Sequence, residues 1–427
     1  MYTLSSVEIE GFWGRFNVSC TFNDDVNIII GKNGTGKTTF MNILTAVLSV
    51  DVESLSSNDF SSVKIILKEG NKNKTIKVNF EEEQYRSFFL INYIISNKKY
   101  TIRSYGDGNR MPLSYRKKIK EDALKLKYEL NKFTSLSSIS VYRMRSSEDL
   151  ELRGNNNIDY INPVDYKLNA LLQELTRYQL YLSQKSMKVS NNLQKEVLAS
   201  ILYNKEDAEE STQKISFDKE RERNELIIAF KQLKAFDDDV KKKIIFHIDA
   251  IDKTIIEIKK NTKKGNAVSS EKLIEKKIDI RSLEALRKTQ RITKMSLNAE
   301  KEIADIFKPI TLFLEILKQF MEEKSFKFDN GELVLYNTHG IIPHSSLSSG
   351  EKQLLILFIE TLIQQNKTNI FLTDEPELSL HIAWQRQIIP AIKTLNPNAQ
   401  IVAATHSPEV ASKYRKYIFD MENLIND

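Results

Sequence analysis

Residues 31–38 read GKNGTGKT, from Gly31 to Thr38. The apolar run Val26–Ile30 precedes this segment, and apolar residues with helical spacing follow it. The segment matches the pattern G-x-x-x-x-G-K-[ST] in the strand and helix context that a phosphate-binding loop requires. Its glycines let the backbone curl so that successive N–H groups face an anion at the start of a helix. The segment therefore predicts a nucleotide-binding site.

The side chains of this loop have separate predicted roles. Lys37 is expected to reach the β- and γ-phosphates and to assist catalysis, and the Thr38 hydroxyl is expected to bind Mg²⁺. The predicted nucleotide-binding set is Gly31, Lys32, Asn33, Gly34, Thr35, Gly36, Lys37, Thr38 and Thr39. The loop thus predicts ATP and Mg²⁺ as cofactors.

An apolar strand that ends in two acids supplies the carboxylates that a magnesium-bound nucleotide needs. Residues 369–376 read NIFLTDEP, with Asp374 and Glu375 at the strand end. We expect Asp374 to hold the metal's coordination shell and Glu375 to polarise the attacking water as general base. Two adjacent carboxylates repel each other unless a cation lies near them. The pair therefore predicts a centre for nucleotide hydrolysis.

A second anion site is predicted in residues 347–353, which read LSSGEKQ and precede the helical segment 354–364. The hydroxyls of Ser348 and Ser349, together with Gly350 and the start of a helix, suit a bound anion. One nucleotide per chain does not need two such sites.

A further buried-type strand delivers a histidine to its carboxyl end. Residues 401–408 read IVAATHSP, so His406 follows the acidic strand by the length of one crossover helix. Isolated histidines are usually structural, but this spacing favours a position beside the γ-phosphate. We therefore include His406 among the predicted catalytic residues.

Glycine and proline are scarce, at 13 and 8 of 427 residues. Between Pro163 and Pro309 there is no proline, and Gly265 is the one glycine. This composition excludes an all-β domain in the span, because strands need frequent turns. Apolar residues at steps of three or four predict helices near 166–203, 218–261 and 270–307, the last closing at Pro309.

The predicted fold class is α/β, a P-loop ATPase head with an inserted helical arm. The head has a mixed central sheet with an antiparallel flank, and the arm fits antiparallel coiled-coil or bundle packing. The spacing leaves open whether the arm projects or folds onto the head. The predicted divisions are 1–160 for the N-terminal lobe of the head, 161–308 for the arm and 309–427 for the C-terminal lobe.

Composition also limits the location and the class of site. The single cysteine, Cys20, excludes a disulfide framework and a four-thiolate zinc site within the chain. The amino terminus lacks the features of a secretory signal, and no apolar run approaches a membrane span, so we expect a cytoplasmic protein. A net charge of +6 permits contact with nucleic acid without arguing for it.

Four motifs together resemble the elements of ABC-type ATPases. GKNGTGKT resembles Walker A, LSSGEKQ the signature, IFLTDEPELSLH Walker B with the D-loop, and ATHSP the switch histidine. The set is most similar to the RecF, Rad50, SMC and OLD-like branch. The resemblance covers the head, in the ranges 1–160 and 308–427, and is weak in the arm.

This resemblance implies an active site shared between two heads. In this family two heads pack head to tail, and the signature of one closes on ATP held by the Walker A loop of the other. Four signature residues would then contact the nucleotide in trans, and His406 would sense the γ-phosphate in cis. These four residues are Ser348, Ser349, Gly350 and Glu351.

Two further assignments rest on the resemblance. Arg15, in EGFWGRFN, falls where this branch often carries a basic residue near the nucleotide, with Phe12 or Phe16 beside it. The Q-loop glutamine is not fixed, since Gln84 is one candidate and the arginines at 143 and 145 are alternatives. The chain departs from the family in reading LSSGE for LSGGQ. It also has no Cys-x-x-Cys hook, so zinc-mediated joining of arms is unsupported.

Three classes of function are compared. The first is an ATP-gated assembly subunit of a prokaryotic antiphage system, similar to the ATPase partners of the Septu and PARIS pairs. The second is a DNA-repair or chromosome-maintenance ATPase similar to RecF or a short Rad50. The third, an OLD-like nuclease acting alone, is disfavoured because only a short tail follows His406 and no other carboxylate cluster replaces a Toprim domain.

The short arm without a hook and the mild charge favour the first class. The expected partners are a second copy of the chain, as a homodimer or higher oligomer, and a separate effector such as an HNH or Toprim nuclease. DNA or a phage protein is the expected trigger, and no membrane is involved.

Overall fold

The structure is a computed structural model that describes residues 1–82, 88–105, 113–140, 163–200, 217–232, 235–262, 280–378 and 380–426. The chain divides into two compact units. We call Met1–Arg177 with Ile310–Asp427 the head unit, and Tyr178–Pro309 the helical unit. None of the helices in these described ranges is both long and apolar enough to cross a membrane.

Strands and helices are numbered in chain order within the described residues. The strands are β1 Thr3–Phe12, β2 Phe16–Thr21, β3 Val26–Ile30, β4 Ser62–Glu69, β5 Lys72–Glu82, β6 Phe88–Ile95, β7 Lys98–Tyr105, β8 Leu136–Ser140, β9 Ser325–Asp329, β10 Glu332–Asn337, β11 Gly340–Ile342, β12 Asn369–Asp374, β13 Ala399–Ala404, β14 Ile418–Asp420 and β15 Ile425–Asn426. The α-helices are α1 Lys37–Ser49, α2 Val52–Ser56, α3 Leu113–Asn131, α4 Pro163–Ser200, α5 Lys219–Gln232, α6 Asp238–Thr262, α7 Ile280–Phe320, α8 Ser349–Ile363, α9 Ile382–Gln385, α10 Ile388–Leu395, α11 Pro408–Ala411 and α12 Met421–Leu424.

A five-stranded parallel sheet forms the centre of the head unit, in the order β14-β3-β13-β12-β8. The three middle strands, β3, β13 and β12, are almost entirely buried, as expected where a sheet is covered on both faces, and every residue of β13 is buried. Because the strands are parallel, all their carboxyl ends lie at one edge. At that edge the chain leaves β3 after Ile30, β12 after Asp374, β13 after Ala404 and β14 after Asp420.

A seven-stranded antiparallel sheet, β15-β2-β1-β4-β5-β6-β7, flanks the parallel one. Its strands alternate buried and exposed residues, as in β4, and the buried row joins a core shared with α1 and with Ile370 and Leu372 of β12. A small sheet, β11-β10-β9, completes the head unit. The predicted α/β class with an antiparallel flank and a helical insertion is confirmed, and the parallel and antiparallel strands lie in separate sheets.

The predicted single helix near 218–261 is wrong, because the structure has two helices there. A non-helical stretch at 235–237 separates α5 from α6. The Asp237 carboxylate accepts a bond of 2.7 Å from the Val240 N–H and so caps the new helix. Apolar spacing missed the break because Phe236 and Val240 both pack on the same core cluster as the flanking helices.

The predicted helix end at Pro309 is also wrong, since α7 runs through this residue. Proline has no N–H, so the bond to the Asp305 carbonyl is lost, at a typical cost of about 3 kcal/mol. Beyond Pro309 the helix fully buries Phe313 and Leu317. Burial of two such side chains contributes roughly 3–6 kcal/mol, which outweighs the proline. The described part of the third predicted helix begins at Ile280.

Pro309→Ala should therefore stabilise the protein. Alanine supplies the missing N–H and is the better helix former, so the free energy of unfolding should rise by about 1–3 kcal/mol. Urea denaturation followed by circular dichroism measures the change. Pro343→Ala is the matched control, because Pro343 lies outside the α-helices in extended conformation and should give no gain. Equal or lower stability of Pro309→Ala would contradict this account of α7.

Candidate functional site

The loop of residues 31–38 joins β3 to α1 at the carboxyl edge of the parallel sheet. Gly36 precedes the first residue of α1 with φ of +94°, a left-handed conformation that favours glycine. A Cβ atom there would lie 2.9 Å from the ring of Phe12 and 3.0 Å from that of Trp13. Only glycine fits this position, because both the backbone angle and the aromatic neighbours exclude a side chain.

Lys37 is held inside this loop. Its Nζ donates to the carbonyl oxygens of Gly31 at 2.7 Å and Lys32 at 2.9 Å, and the residue is 5% exposed. Burial lowers the pKa of Lys37. Surrounding carboxylates offset part of that shift, namely those of Glu375, Asp374, Asp420 and Glu377. The loop therefore holds a buried cation within the field of four acids.

The acids predicted at the end of β12 lie at the same edge of the sheet as this lysine and act on its charge. β13 separates β12 from β3 in the sheet and places Ala404 level with both Asp374 and Ile29. Glu375 has φ of +50°, and its N–H donates to the Ala404 carbonyl at 2.8 Å. A residue with a side chain rarely adopts this conformation, and such outliers cluster at functional sites. The turn directs the chain away from the sheet directly after the two acids.

His406 faces Glu375. Its Nε2 lies 3.6 Å from Oε1 of Glu375, and both side chains are about one-third exposed. We call residues 405–407, which follow β13, the His406 loop. Its first residue, Thr405, is bonded to β3, because the Thr405 N–H donates to the Ile29 carbonyl at 3.0 Å. The structure therefore brings together Lys37, Asp374, Glu375 and His406 from three separate parts of the sequence.

The start of α1 fits the phosphates of a nucleotide. No side chain within the described residues caps the first turn of α1, which leaves N–H groups of Lys37, Thr38 and Thr39 available to an anion. Thr38 is half-buried in the same turn. The described residues hold no cluster of three or more metal-ligating side chains. A Mg²⁺ ion does not need one when nucleotide phosphates and water supply most of its ligands.

The signature residues form the start of α8. Ser348 is the N-cap and shares a reciprocal capping box with Glu351. Burial alone would raise the pKa of Glu351, but bonds from Lys324 and Ser348 outweigh it and lower the pKa. Ser349 and Gly350 lie in the first turn. The segment is thus a capped helix start, and Lys324 bonds the Glu351 carboxylate from outside the helix.

Arg15 lies in the turn between β1 and β2. Its guanidinium lies over the Phe16 ring, 4.3 Å from the centroid, and the side chain is exposed. Phe12 and Trp13 of the same turn contact the position of Gly36. The turn therefore flanks the loop through Phe12 and Trp13, and Trp13 is a neighbour that the sequence did not indicate. The assignment of Arg15 to the nucleotide stays a prediction. The three Q-loop candidates, at 84, 143 and 145, lie outside the described residues.

Comparison with protein families gives one match to most of the chain. Residues 1–411 match the model of the AAA ATPase domain. The chain belongs to this ATPase family. The prediction of an ATPase family made from the motifs is confirmed.

Curated relatives match this AAA ATPase domain over short regions. The Septu protein PtuA of Bacillus thuringiensis is 33% identical over 118 residues, which is 24% of this chain and 30% of that protein. The retron Ec83 probable ATPase of Escherichia coli is 36% identical over 89 residues, or 18% of this chain and 16% of that protein. The matched part thus spans less than a third of either relative.

Solved structures are similar to this AAA ATPase domain at low sequence identity. The Smc head domain with an extended coiled coil from Pyrococcus furiosus has a TM-score of 0.41 and 14% identity, covering 96% of this chain and 92% of that chain. The SMC head domain from Thermotoga maritima has a TM-score of 0.38 and 11% identity, covering 96% and 91%.

Three acids near the candidate site were not predicted from the sequence. Asp420 ends β14, level with Ile30 of β3, and Glu422 lies 3.6 Å from the Lys32 ammonium. The strand has three residues, too few for any periodicity to reveal it. Glu377 follows β12 and accepts a hydrogen bond from the His406 N–H. Its place in the motif DEPE, residues 374–377, was the sequence signal that could have identified it.

Proposed function

We propose that this chain binds ATP and hydrolyses it with Mg²⁺. The observation that carries the proposal is the convergence of Lys37, Asp374, Glu375 and His406 at one sheet edge, beside an uncapped helix start. Membership of the AAA ATPase domain family supports it. In this proposal Lys37 binds the β- and γ-phosphates, Glu375 is the general base, and His406 contacts the γ-phosphate.

The residues fit a magnesium ion as well as the nucleotide. Thr38 and Asp374 would hold Mg²⁺, which would neutralise charge on the phosphates. Glu375 is about one-third exposed, so water reaches its carboxylate. Phosphate release by the purified chain, with and without Mg²⁺, tests the activity. No release under either condition, in the presence of bound ATP, would refute hydrolysis.

We propose further that two heads share each active site, with the signature acting in trans. Ser348 caps the start of α8 and is exposed, as a residue that meets a second chain must be. Ser348→Arg should then remove most ATP hydrolysis by placing bulk and charge at the interface, while ATP binding by Lys37 remains. Measuring phosphate release beside equilibrium binding of a fluorescent ATP analogue separates the two effects.

A mixing experiment gives the decisive control. Lys37→Ala and Ser348→Arg are each expected to be inactive alone. A mixed dimer has one intact site, which joins Lys37 of one chain to Ser348 of the other. Equal mixing should restore roughly a quarter of the wild-type rate, because half the dimers are mixed and each has one working site of two. No recovery in mixtures that exchange subunits would refute the trans arrangement.

We propose that the ATPase serves an antiphage defence complex and controls a separate nuclease or toxic effector. The similarity to the Septu protein PtuA and to the retron Ec83 probable ATPase supports this role. The test is expression of the native operon in a phage-sensitive host. Protection that Lys37→Ala removes, with a nuclease copurifying, is the expected result. Copurification of recombination proteins without protection would favour a role in DNA repair instead.

A further inference from the structure

Glu377 is a nearly buried acid beside the proposed catalytic centre. It lies two residues after Glu375 and is 9% exposed. Its Oε1 accepts three hydrogen bonds from the chain that leaves β13. The donors are the Thr405 hydroxyl at 2.5 Å, the His406 N–H at 3.0 Å and the Ser407 N–H at 3.2 Å. A single carboxylate oxygen thus binds three consecutive residues around the predicted switch histidine.

These bonds fix the backbone that carries His406. The two N–H groups follow the last residue of β13, where the sheet no longer supplies partners. Bonds to an ionised carboxylate are shorter and stronger than those between neutral groups. They set the orientation of the peptides on both sides of His406, and hence the direction in which its imidazole leaves the backbone.

A second set of contacts supports the same frame. The Ser407 N–H also bonds the Thr405 hydroxyl oxygen at 2.9 Å, and the Ser407 hydroxyl donates to Oε1 of Gln385 at 2.7 Å. The Gln385 amide nitrogen in turn donates to the Leu380 carbonyl at 3.0 Å. The segment after β12 and the segment after β13 are therefore joined at two points. One is the carboxylate of Glu377, and the other is the hydrogen bond between Ser407 and Gln385.

Glu377 is poorly suited to act as the general base itself. Its Oε1 already accepts three bonds, and its Oε2 is fully buried with no partner among the described residues. The Glu375 carboxylate is about one-third exposed and faces the His406 ring. The Glu375 carboxylate is open to water, whereas Oε2 of Glu377 is buried and its Oε1 is engaged by three donors, which separates the two roles.

We propose that Glu377 is a positioning residue that holds the His406 loop in the conformation needed for ATP hydrolysis. This inference rests on the proposed ATPase function. Glu377 acts through the backbone of Thr405, His406 and Ser407, and it does not contact the nucleotide.

The test compares Glu377→Ala with Glu377→Gln. Alanine removes the acceptor, whereas glutamine retains an oxygen at the Oε1 position. Glu377→Ala should lower kcat at least tenfold with KM and the Kd for a fluorescent ATP analogue changed less than twofold, and Glu377→Gln should retain at least a third of the rate. Combining Glu377→Ala with His406→Ala should cause no further loss beyond His406→Ala. Independent, multiplicative losses would overturn the inference.

A readout without turnover separates this inference from the proposed function. The chain has 5 histidines, and ¹³C-labelled imidazoles give one ring signal each. His406→Asn assigns the relevant signal. Glu377→Ala should shift or broaden it and leave the other signals in place, whereas Glu377→Gln should leave it near its wild-type position. An unchanged His406 signal in Glu377→Ala would overturn the positioning role. A shifted signal in a protein without ATPase activity would uphold it and refute the proposed function.

Thr405→Val serves if Glu377→Ala does not fold. The substitution keeps the side-chain shape and removes the hydroxyl donor of the shortest of the three bonds. It should shift the His406 signal in the same direction as Glu377→Ala and lower kcat about threefold without weakening ATP binding. No shift and no loss of rate would overturn the inference.

Discussion

Lys37→Ala should lose most ATP binding at concentrations that just saturate the wild-type chain. The Lys37 ammonium is the buried cation of the loop, and alanine removes the charge that would bind the phosphates. Hydrogen bonds to charged groups contribute about 1.5–3 kcal/mol each, so loss of this group should raise Kd by roughly 30-fold or more. Titration with a fluorescent ATP analogue measures the effect directly.

A matched control is another lysine of the head unit. Lys77 is exposed on β5, and Lys77→Ala removes the same charge without touching the loop. It should bind the analogue as the wild-type chain does. Circular dichroism should show that both variants fold, because the hydrogen bonds of Lys37 among the described residues go to the loop carbonyls of Gly31 and Lys32. Tight binding by a folded Lys37→Ala variant would refute the assignment of this loop.

The residues that meet at the candidate site could be found from the sequence because each motif carries its own local signal. The loop at 31–38 shows its glycine spacing and its strand and helix context, and Asp374 and Glu375 stand at the end of an apolar run. The parallel sheet then brings these motifs together, because strands that run in one direction all end at the same edge. Residues far apart in sequence therefore meet without any signal for the contact itself.

The parts that sequence reasoning missed depend on tertiary contacts. A proline normally ends a helix. At Pro309, however, α7 continues, because the apolar residues that follow it are buried in the head unit. Asp420 reaches the loop through a strand of three residues that is defined only by its pairing with β3. Glu377 acquires its role from the loop at 405–407, which belongs to another strand end. Local patterns contain none of this information.

Glu375→Gln should stop ATP hydrolysis while ATP stays bound. Glutamine has nearly the same shape but cannot accept a proton from water, and general bases contribute typically about 10²- to 10⁴-fold to rates. The phosphate-binding loop and Lys37 are unchanged, so affinity for the fluorescent analogue should be retained. We expect phosphate release to fall at least 100-fold and light scattering to show an ATP-dependent dimer that persists longer than in the wild type.

The comparison with Glu332→Gln tests whether the effect belongs to this carboxylate. Glu332 is exposed on β10, away from the parallel sheet, and its amide variant should hydrolyse ATP normally. The left-handed backbone of Glu375 should persist in the glutamine variant, because its N–H bond to the Ala404 carbonyl does not involve the side chain. Loss of activity therefore reports on proton transfer and not on the turn. Hydrolysis by Glu375→Gln at the wild-type rate would show that another group activates the water.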